Sequence, residues 1–155
     1  AQKWEGEAYQ GSDYFRVVTL RISMVLSKKG GPLKSMMLPF KLCLGGELGG
    51  GKQYLSWIHI EDLLRIFSFC IETETLAGPV NACSPEPVTN SLFTRILGQA
   101  LSRPTILPVP TFAIKLIFGQ MGKEILLAST RAVPKKLLES GFKFEYPGLK
   151  SALNR

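Results

Sequence analysis

Tyr146 and Lys150 stand four residues apart, the spacing at which a lysine ammonium one helical turn away lowers a phenol's pKa and lets it pass a proton. That chemistry needs both side chains on one continuous helix. Pro147-Gly148 lies between them, and proline suits a helix start better than a helix interior, so Tyr146 is expected just ahead of a short terminal helix, as a core anchor. His59 is the only histidine, which excludes a multi-histidine metal centre, and no close-spaced cysteine pair or carboxylate cluster replaces it. Ser56, His59 and Asp62 have the residue types of a hydrolytic relay, but the serine lacks the flanking glycines of a nucleophile elbow. His59 alone in an apolar strand reads as a satisfied structural residue, and Asp62 as a helix cap. Gly46-Glu-Leu-Gly-Gly-Gly51-Lys52-Gln53 falls one residue short of a phosphate-cradling loop. Gln53 has no hydroxyl to hold magnesium, and a strand-like run follows where a helix must begin, so the segment reads as a flexible turn.

The elements that position these residues are legible in outline. Ala1 to Ala8 is polar and rich in helix formers, the tail of a helix. Phe15 to Leu26 is β-branched and nearly continuously apolar, as in a strand covered on both faces of a parallel sheet. Leu33 to Leu44 predicts a helix ending near Pro39, and Gly45 to Gly51 a loop. Tyr54 to Ile60 predicts a strand. Asp62 or Glu61 then caps a helix to about Thr73, so apolar around its circumference that burial on more than one side is expected. Val80 to Cys83 is a strand, and Thr89 or Asn90 caps a helix with Leu92, Phe93, Ile96, Leu97, Ala100 and Leu101 at helical spacing. Beyond Arg103-Pro104 come an extended Ile106–Pro110 segment, helices at Thr111–Phe118 and around Lys123–Ser129, and a short helix opened by Pro134 and closed by Gly141. The alternation of Phe142, Phe144 and Tyr146 with Lys143 and Glu145 predicts a half-buried strand, and Gly148 to Arg155 a last helix. This order implies an α/β fold: the closing units of a Rossmann-like parallel sheet, then a smaller mixed α+β lobe from about residue 103.

Composition narrows the partners. At 155 residues, with 45% hydrophobic and 20% charged residues, the chain can build a core and is not of disordered type. Its net charge of +7 first suggests nucleic acid, but the basic residues come singly or in pairs rather than as a stripe, so no nucleic-acid partner is expected. Cys43, Cys70 and Cys83 are odd in number and lie in apolar runs, the pattern of buried free thiols in a reducing compartment. Ala1 to Gln10 lacks the features of a signal peptide, and no apolar run reaches the roughly 18 residues of a membrane span. A cytoplasmic protein without membrane partners is expected.

Three blocks, read in order, carry a family resemblance. Leu20-Arg-Ile-Ser-Met-Val-Leu-Ser27 with Gly30-Gly31 is similar to a strand and loop written R-x-G-x-V-L-G-x-x-G-G. Gly45-Gly46 through Lys52-Gln53 and Trp57-Ile-His-Ile-Glu-Asp62-Leu is similar to G-G-x-x-G-x-G-x-Q-x-x-x-W-I-H-I-x-D-L. Gly78-Pro-Val-Asn81-Ala-Cys-Ser-Pro85-Glu-Pro-Val-Thr89-Asn90, with Phe93, resembles the next strand and helix start, and Leu107–Pro110, Val133-Pro-Lys and Gly141–Pro147 resemble the family's tail. The family is the extended short-chain dehydrogenase/reductase group, in its epimerase family protein branch, with a small C-terminal domain of unknown function. Nearly the whole chain resembles the C-terminal half of such a protein.

The resemblance implies an NAD(P)-dependent parent, binding NADP or NAD, with the glycine-rich phosphate loop and the catalytic Tyr-x-x-x-Lys in the other half. No G-x-x-G-x-x-G follows a strand here, so the chain alone is expected to be inactive and to have no cradle for a pyrophosphate. It implies that residues 1–102 are the remainder of the dinucleotide-binding domain with a substrate-lobe insertion, and that 103–155 form the small C-terminal domain. Ser23, Met24 and Val25 would border the nicotinamide, while Lys52, Gln53, Trp57 and His59 would face a small-molecule substrate, a nucleotide sugar or a carbonyl compound. Ser23 and Ser27 replace glycines of the family pattern, and their side chains are expected to crowd a close cofactor. The alternative reading is a non-catalytic binding module. Either way the apolar surplus implies a surface covered by the other half or by self-association.

Overall fold

The computed structural model describes residues 2–10, 14–105 and 129–154. Strand β1 (Val18–Ile22) runs parallel to β5 (Gly78–Ala82), with Val18 opposite Gly78 and Ile22 opposite Ala82. Strand β2 (Met24–Leu26) runs parallel to β4 (Trp57–His59), Met24 opposite Trp57. A short antiparallel pair, β3 (Tyr54–Leu55) and β6 (Val88–Thr89), lies alongside. The parallel α/β architecture is the one expected, but the long strand from Phe15 to Leu26 is not continuous. It breaks at Ser23, where the chain changes partner. The Ser23 amide still donates to the Ala82 carbonyl (3.2 Å), whereas the Met24 amide donates to Ser56 (3.2 Å). The run from Tyr54 to Ile60 divides for the same reason at Ser56, and Ile60 already belongs to the next helix.

Helix α1 (Gln2–Tyr9) covers one face of β1, joined to it by Tyr9 Oη–Thr19 Oγ1 (2.6 Å) and the Glu5–Arg21 ion pair (2.7 Å). Helix α2 (Gly31–Lys41) runs two residues past Pro39, where an end was expected. A proline there removes one amide donor, and the turn is closed beyond it by amides of Leu42, Cys43 and Leu44 donating to Leu38, Phe40 and Pro39 carbonyls. Cys43 follows with φ of 58° and is exposed, contrary to the buried thiol expected; Cys70 and Cys83 are buried.

Helix α3 (Ile60–Glu72) is capped neither by Asp62 nor by Glu61 but by His59, whose Nδ1 accepts from the Glu61 amide (3.3 Å). It buries one face, through Leu63, Ile66 and Cys70, rather than several; Leu64, Phe67 and Ile71 are exposed. Arg16 closes its far end, donating to the carbonyls of Cys70, Ile71 and Leu76 at 2.8–3.0 Å. Helix α4 (Asn90–Ala100) is capped by Thr89 Oγ1, as the sequence suggested. Helix α5 (Lys135–Glu139) follows Pro134, and Gly141 ends it with φ of +85°. From Phe142 to Tyr146 burial alternates as anticipated, but no strand forms, because the amides of Glu145 and Tyr146 donate to the Asp62 carboxylate instead of to a ladder (2.9 and 2.8 Å). Helix α6 (Leu149–Leu153) follows.

Two apolar clusters result. One centres on Trp57, Phe93, Leu26 and Tyr146, and the other on Ile58, Ile66, Val80 and Leu137. Each takes residues from beyond residue 129, so the carboxy end packs into both. The elements expected at 106–110, 111–118 and 123–128 lie outside the described residues. Among the described residues no helix is long and apolar enough to cross a membrane.

Candidate functional site

Ligands of open α/β sheets collect at the carboxyl ends of parallel strands. A hollow of about 650 Å³ runs along β1 and reaches that end of β1 and β5, lined by Thr19 to Ser23, Ser56, Asn81, Cys83, Thr130 and Ala132, with Trp4 and Glu5 of α1. Two polar side chains of its wall are tied to one segment. Ser56 Oγ donates to the Thr130 carbonyl (2.9 Å) and accepts from the Ala132 amide (2.8 Å), while Asn81 Nδ2 donates to the Val133 carbonyl (3.2 Å). Together with bonds from Ser129 and Thr130 to Tyr54, these strap residues 129–133 to β3, Ser56 and β5. Arg21 and Glu5, the charged groups on the lining, are engaged with each other.

Ser23, whose side chain was expected to crowd a close cofactor, lies on this wall with that side chain bonded to the sheet. Its Oγ is folded back onto the Ala82 carbonyl at 3.1 Å. Ser27 is similarly turned into its own loop, its Oγ accepting from the Lys29 amide (3.3 Å). Of the three residues expected beside a nicotinamide, Ser23 lines the hollow; Met24 and Val25 pass into β2 and pack on the two apolar clusters.

The four residues expected around a substrate are not brought together. Trp57 is wholly buried, with Nε1 donating to the Glu86 carbonyl at 3.0 Å, and so is a core aromatic. His59 caps α3, stacks at 4.0 Å on the Tyr146 ring and lines a separate groove of about 380 Å³ with Lys28, Lys29 and Glu61. Gln53 Nε2 donates to the Leu48 carbonyl (2.8 Å), and Lys52 is exposed. The glycine-rich loop before them is pinned rather than flexible. The Leu48 amide donates to Asn90 Oδ1 (2.7 Å), and Ser91 Oγ donates to Glu47 at the amino end of α4 (2.5 Å). Gly51 holds φ of +73°, and a Cβ there would stand 2.8 Å from Glu47 Oε2.

Neither relay weighed from the sequence is assembled. Ser56, His59 and Asp62 are each committed elsewhere: to the strap, to the α3 cap, and to the Glu145 and Tyr146 amides. Tyr146 precedes α6, as Pro147 required, and its hydroxyl donates to Glu61 Oε2 (2.9 Å). Among the described residues no group of three or more metal-ligating side chains forms. Sequence reasoning missed Asn81, Cys83 and Thr130 as lining residues. For the first two, strand-end position after Val80 was the available signal.

The hollow therefore offers pre-bonded polar groups, one engaged ion pair and shape. Cys83 lines it as a neutral thiol, because burial pushes the group from an ordinary 9.0 to about 11. A thiol whose folded pKa is raised contributes stability below the unfolded pKa and loses it as pH climbs towards the folded value. Urea midpoints are therefore expected to fall between pH 9 and 11 by more in the parent chain than in Cys83→Ala, with a differential of about 2 kcal/mol. Equal slopes for the two proteins would show that Cys83 titrates normally.

Residues 109–155 match the family described as a domain of unknown function, DUF1731. The chain is 40% identical to an epimerase family protein of Mycobacterium leprae, over 99% of this chain and 50% of that protein. It superposes on the crystal structure of human epimerase family protein SDR39U1 with NADPH at a TM-score of 0.91 and 35% identity, covering 99% of this chain and 52% of that one. A nucleoside-diphosphate sugar epimerase from Corynebacterium glutamicum matches at a TM-score of 0.74 and 31% identity, over 98% of this chain and 28% of that one. The chain thus spans about half the length of the curated relatives it matches.

Proposed function

Since this chain is homologous, in sequence and fold, to about half of an epimerase family protein, we propose that it acts as the C-terminal half of an NAD(P)-dependent epimerase or reductase. The observation that carries this reading is the near-complete superposition of the chain on half of an NADPH-bound relative. Residues 1–102 would complete the dinucleotide-binding domain with its substrate-lobe insertion, and 103–155 the small C-terminal domain, in a cytoplasmic protein.

The residues present fit one end of a dinucleotide. Ser23, tied to Ala82, leaves the hollow open beside the strand ends, so the backbone there can border a nicotinamide. They do not fit the pyrophosphate, because the sequence contains no G-x-x-G-x-x-G turn to cradle it. The dinucleotide, when bound, supplies the hydride chemistry. This chain contributes the wall, the exclusion of water and the substrate side. There Lys52 is exposed to meet a small molecule, while Gln53, Trp57 and His59 hold the loop, the core and the helix start behind it. A nucleotide sugar is the favoured substrate class, given the Corynebacterium relative.

NADPH titration by calorimetry tests the reading. The isolated chain is expected to give no binding in the micromolar range. Joined to the complementary half of the Mycobacterium leprae relative, it is expected to bind NADPH. Submicromolar binding by the chain alone, or none by the joined protein, overturns the proposal.

A further inference from the structure

Each of the two parallel pairs has its own carboxyl end. That of β1 and β5 meets the hollow, and that of β2 and β4 meets the groove of about 380 Å³, with no described lining residue in common. Leu26 and His59 are the last residues of β2 and β4, and both line the groove. The crevice outside such strand ends is where open α/β sheets receive ligands.

The floor of the groove is apolar and firm. Leu26, Leu33 and Leu153 line it, and each keeps no more than 7% of its surface exposed, so packed core lies directly beneath. Leu64 also lines it and is 60% exposed, an apolar side chain the fold leaves uncovered. Lys28 and Lys29 supply the charge, from the short loop between β2 and α2. That loop is fixed: the Lys29 amide donates to Ser27 Oγ (3.3 Å), and Gly31 turns the chain into α2 with φ of +74°. Among the described residues neither lysine has a salt-bridge partner. Glu61 is the one carboxylate among the described lining residues, and it accepts from the Tyr146 hydroxyl (2.9 Å). Two ammonium groups on adjacent residues repel each other. An anion between them relieves that repulsion, while a hydrocarbon tail on the floor removes apolar surface from water.

We propose that this groove is a second small-molecule site, separate from the hollow, whose ligand is a free carboxylate with an apolar tail. The head lies between Lys28 and Lys29 and the tail on Leu26, Leu33, Leu64 and Leu153. A bare phosphate leaves the floor unused, and a neutral hydrocarbon leaves the lysines unused. The proposal stands on the groove itself and is independent of the proposed function.

The test is calorimetric titration of the chain with decanoate, and separately with decanol and inorganic phosphate, which each carry half of that chemistry. Decanoate is expected to bind at one site per chain, about tenfold or more tighter than either. Lys28→Gln with Lys29→Gln is expected to weaken decanoate by about tenfold, since two charged contacts are lost together. Leu64→Gln is expected to weaken it by about threefold through the lost apolar wall. Lys41→Gln with Lys150→Gln removes the same charge from exposed positions outside the groove and is expected to change nothing. All five side chains are exposed, so folding is expected to survive each change; should Leu64→Gln unfold the chain, the lysine pair carries the test. Decanoate binding at several sites, or equal binding by the parent and the Lys28 and Lys29 variant, overturns the proposal. So does decanol binding as tightly as decanoate, or phosphate displacing decanoate at equal concentration.

Discussion

Replacing Trp57 by alanine is expected to cost about 3–5 kcal/mol of folding stability, the range for deleting a fully buried aromatic. The side chain has no exposed surface, belongs to the cluster that contains Leu26, Phe93 and Tyr146, and spends its indole N–H on the Glu86 carbonyl. Both losses therefore fall on one substitution: packing with a residual cavity, and a carbonyl left without its donor. Trp57→Phe separates them, retaining most of the apolar contact and losing about 1 kcal/mol for the hydrogen bond, since Glu86 is exposed and water can reach its carbonyl. Urea unfolding of the three proteins gives the comparison. A Trp57→Ala midpoint within about 0.5 kcal/mol of the parent would mean that the ring faces a pocket, as a substrate-side role requires, and not the core.

Asp62→Ala is expected to be nearly as damaging, at about 2–4 kcal/mol, by a different route. The carboxylate is wholly buried, accepts from the amides of Glu145 and Tyr146, and takes a third bond from Arg65. Alanine leaves two inward amides without acceptors. Arg65 is a smaller concern, because its guanidinium is partly in solvent and can rehydrate. Asp62→Asn keeps one acceptor oxygen but turns an N–H towards a donor, so it should fall between the two. Beyond the stability loss, hydrogen exchange should identify the mechanism: the Glu145 and Tyr146 amides are expected to lose protection in Asp62→Ala while those of α4 keep theirs. Uniform loss along the chain, or no loss at all, would contradict the clasp.

These two residues also mark how far the sequence could be read. Local signals with a local cause were legible. Thr89 before an amphipathic run, Pro134 and Gly141 around a short helix, and Pro147 placing Tyr146 ahead of α6 each act within a few residues. What escaped was decided by partners distant along the chain. Phe15–Leu26 reads as one strand because apolar residues continue through Ser23, and nothing local announces that the ladder partner changes there. Asp62 reads as a cap because acidic residues at helix starts commonly are caps, yet its acceptors serve amides 83 and 84 positions away. Phe142–Tyr146 has the alternation of a strand, but alternation reports which side is buried, not what the amides bond to. The candidate site was half legible for the same reason. Ser23 was indicated by family resemblance, whereas the Thr130 side of the hollow is supplied by a strap whose contacts with Ser56 no spacing rule reveals. The four residues expected on the substrate side lie in one short stretch, and strand alternation alone sends Trp57 inward while its neighbour Ser56 lines the hollow.

The change of partner at Ser23 has a consequence for how this chain can vary. Ser23 is the last residue in step with β5, and Met24 is the first in step with β4, so one counter ends and another begins within a single peptide unit. Substitution at this place alters a side chain and little else. An added or deleted residue would leave the β1–β5 register untouched and slip β2 by one against β4, sending Leu26, now without exposed surface, to the opposite face. Spacing across this junction is therefore held more tightly than composition, and descendants of this sequence are free to respell the junction but not to lengthen it.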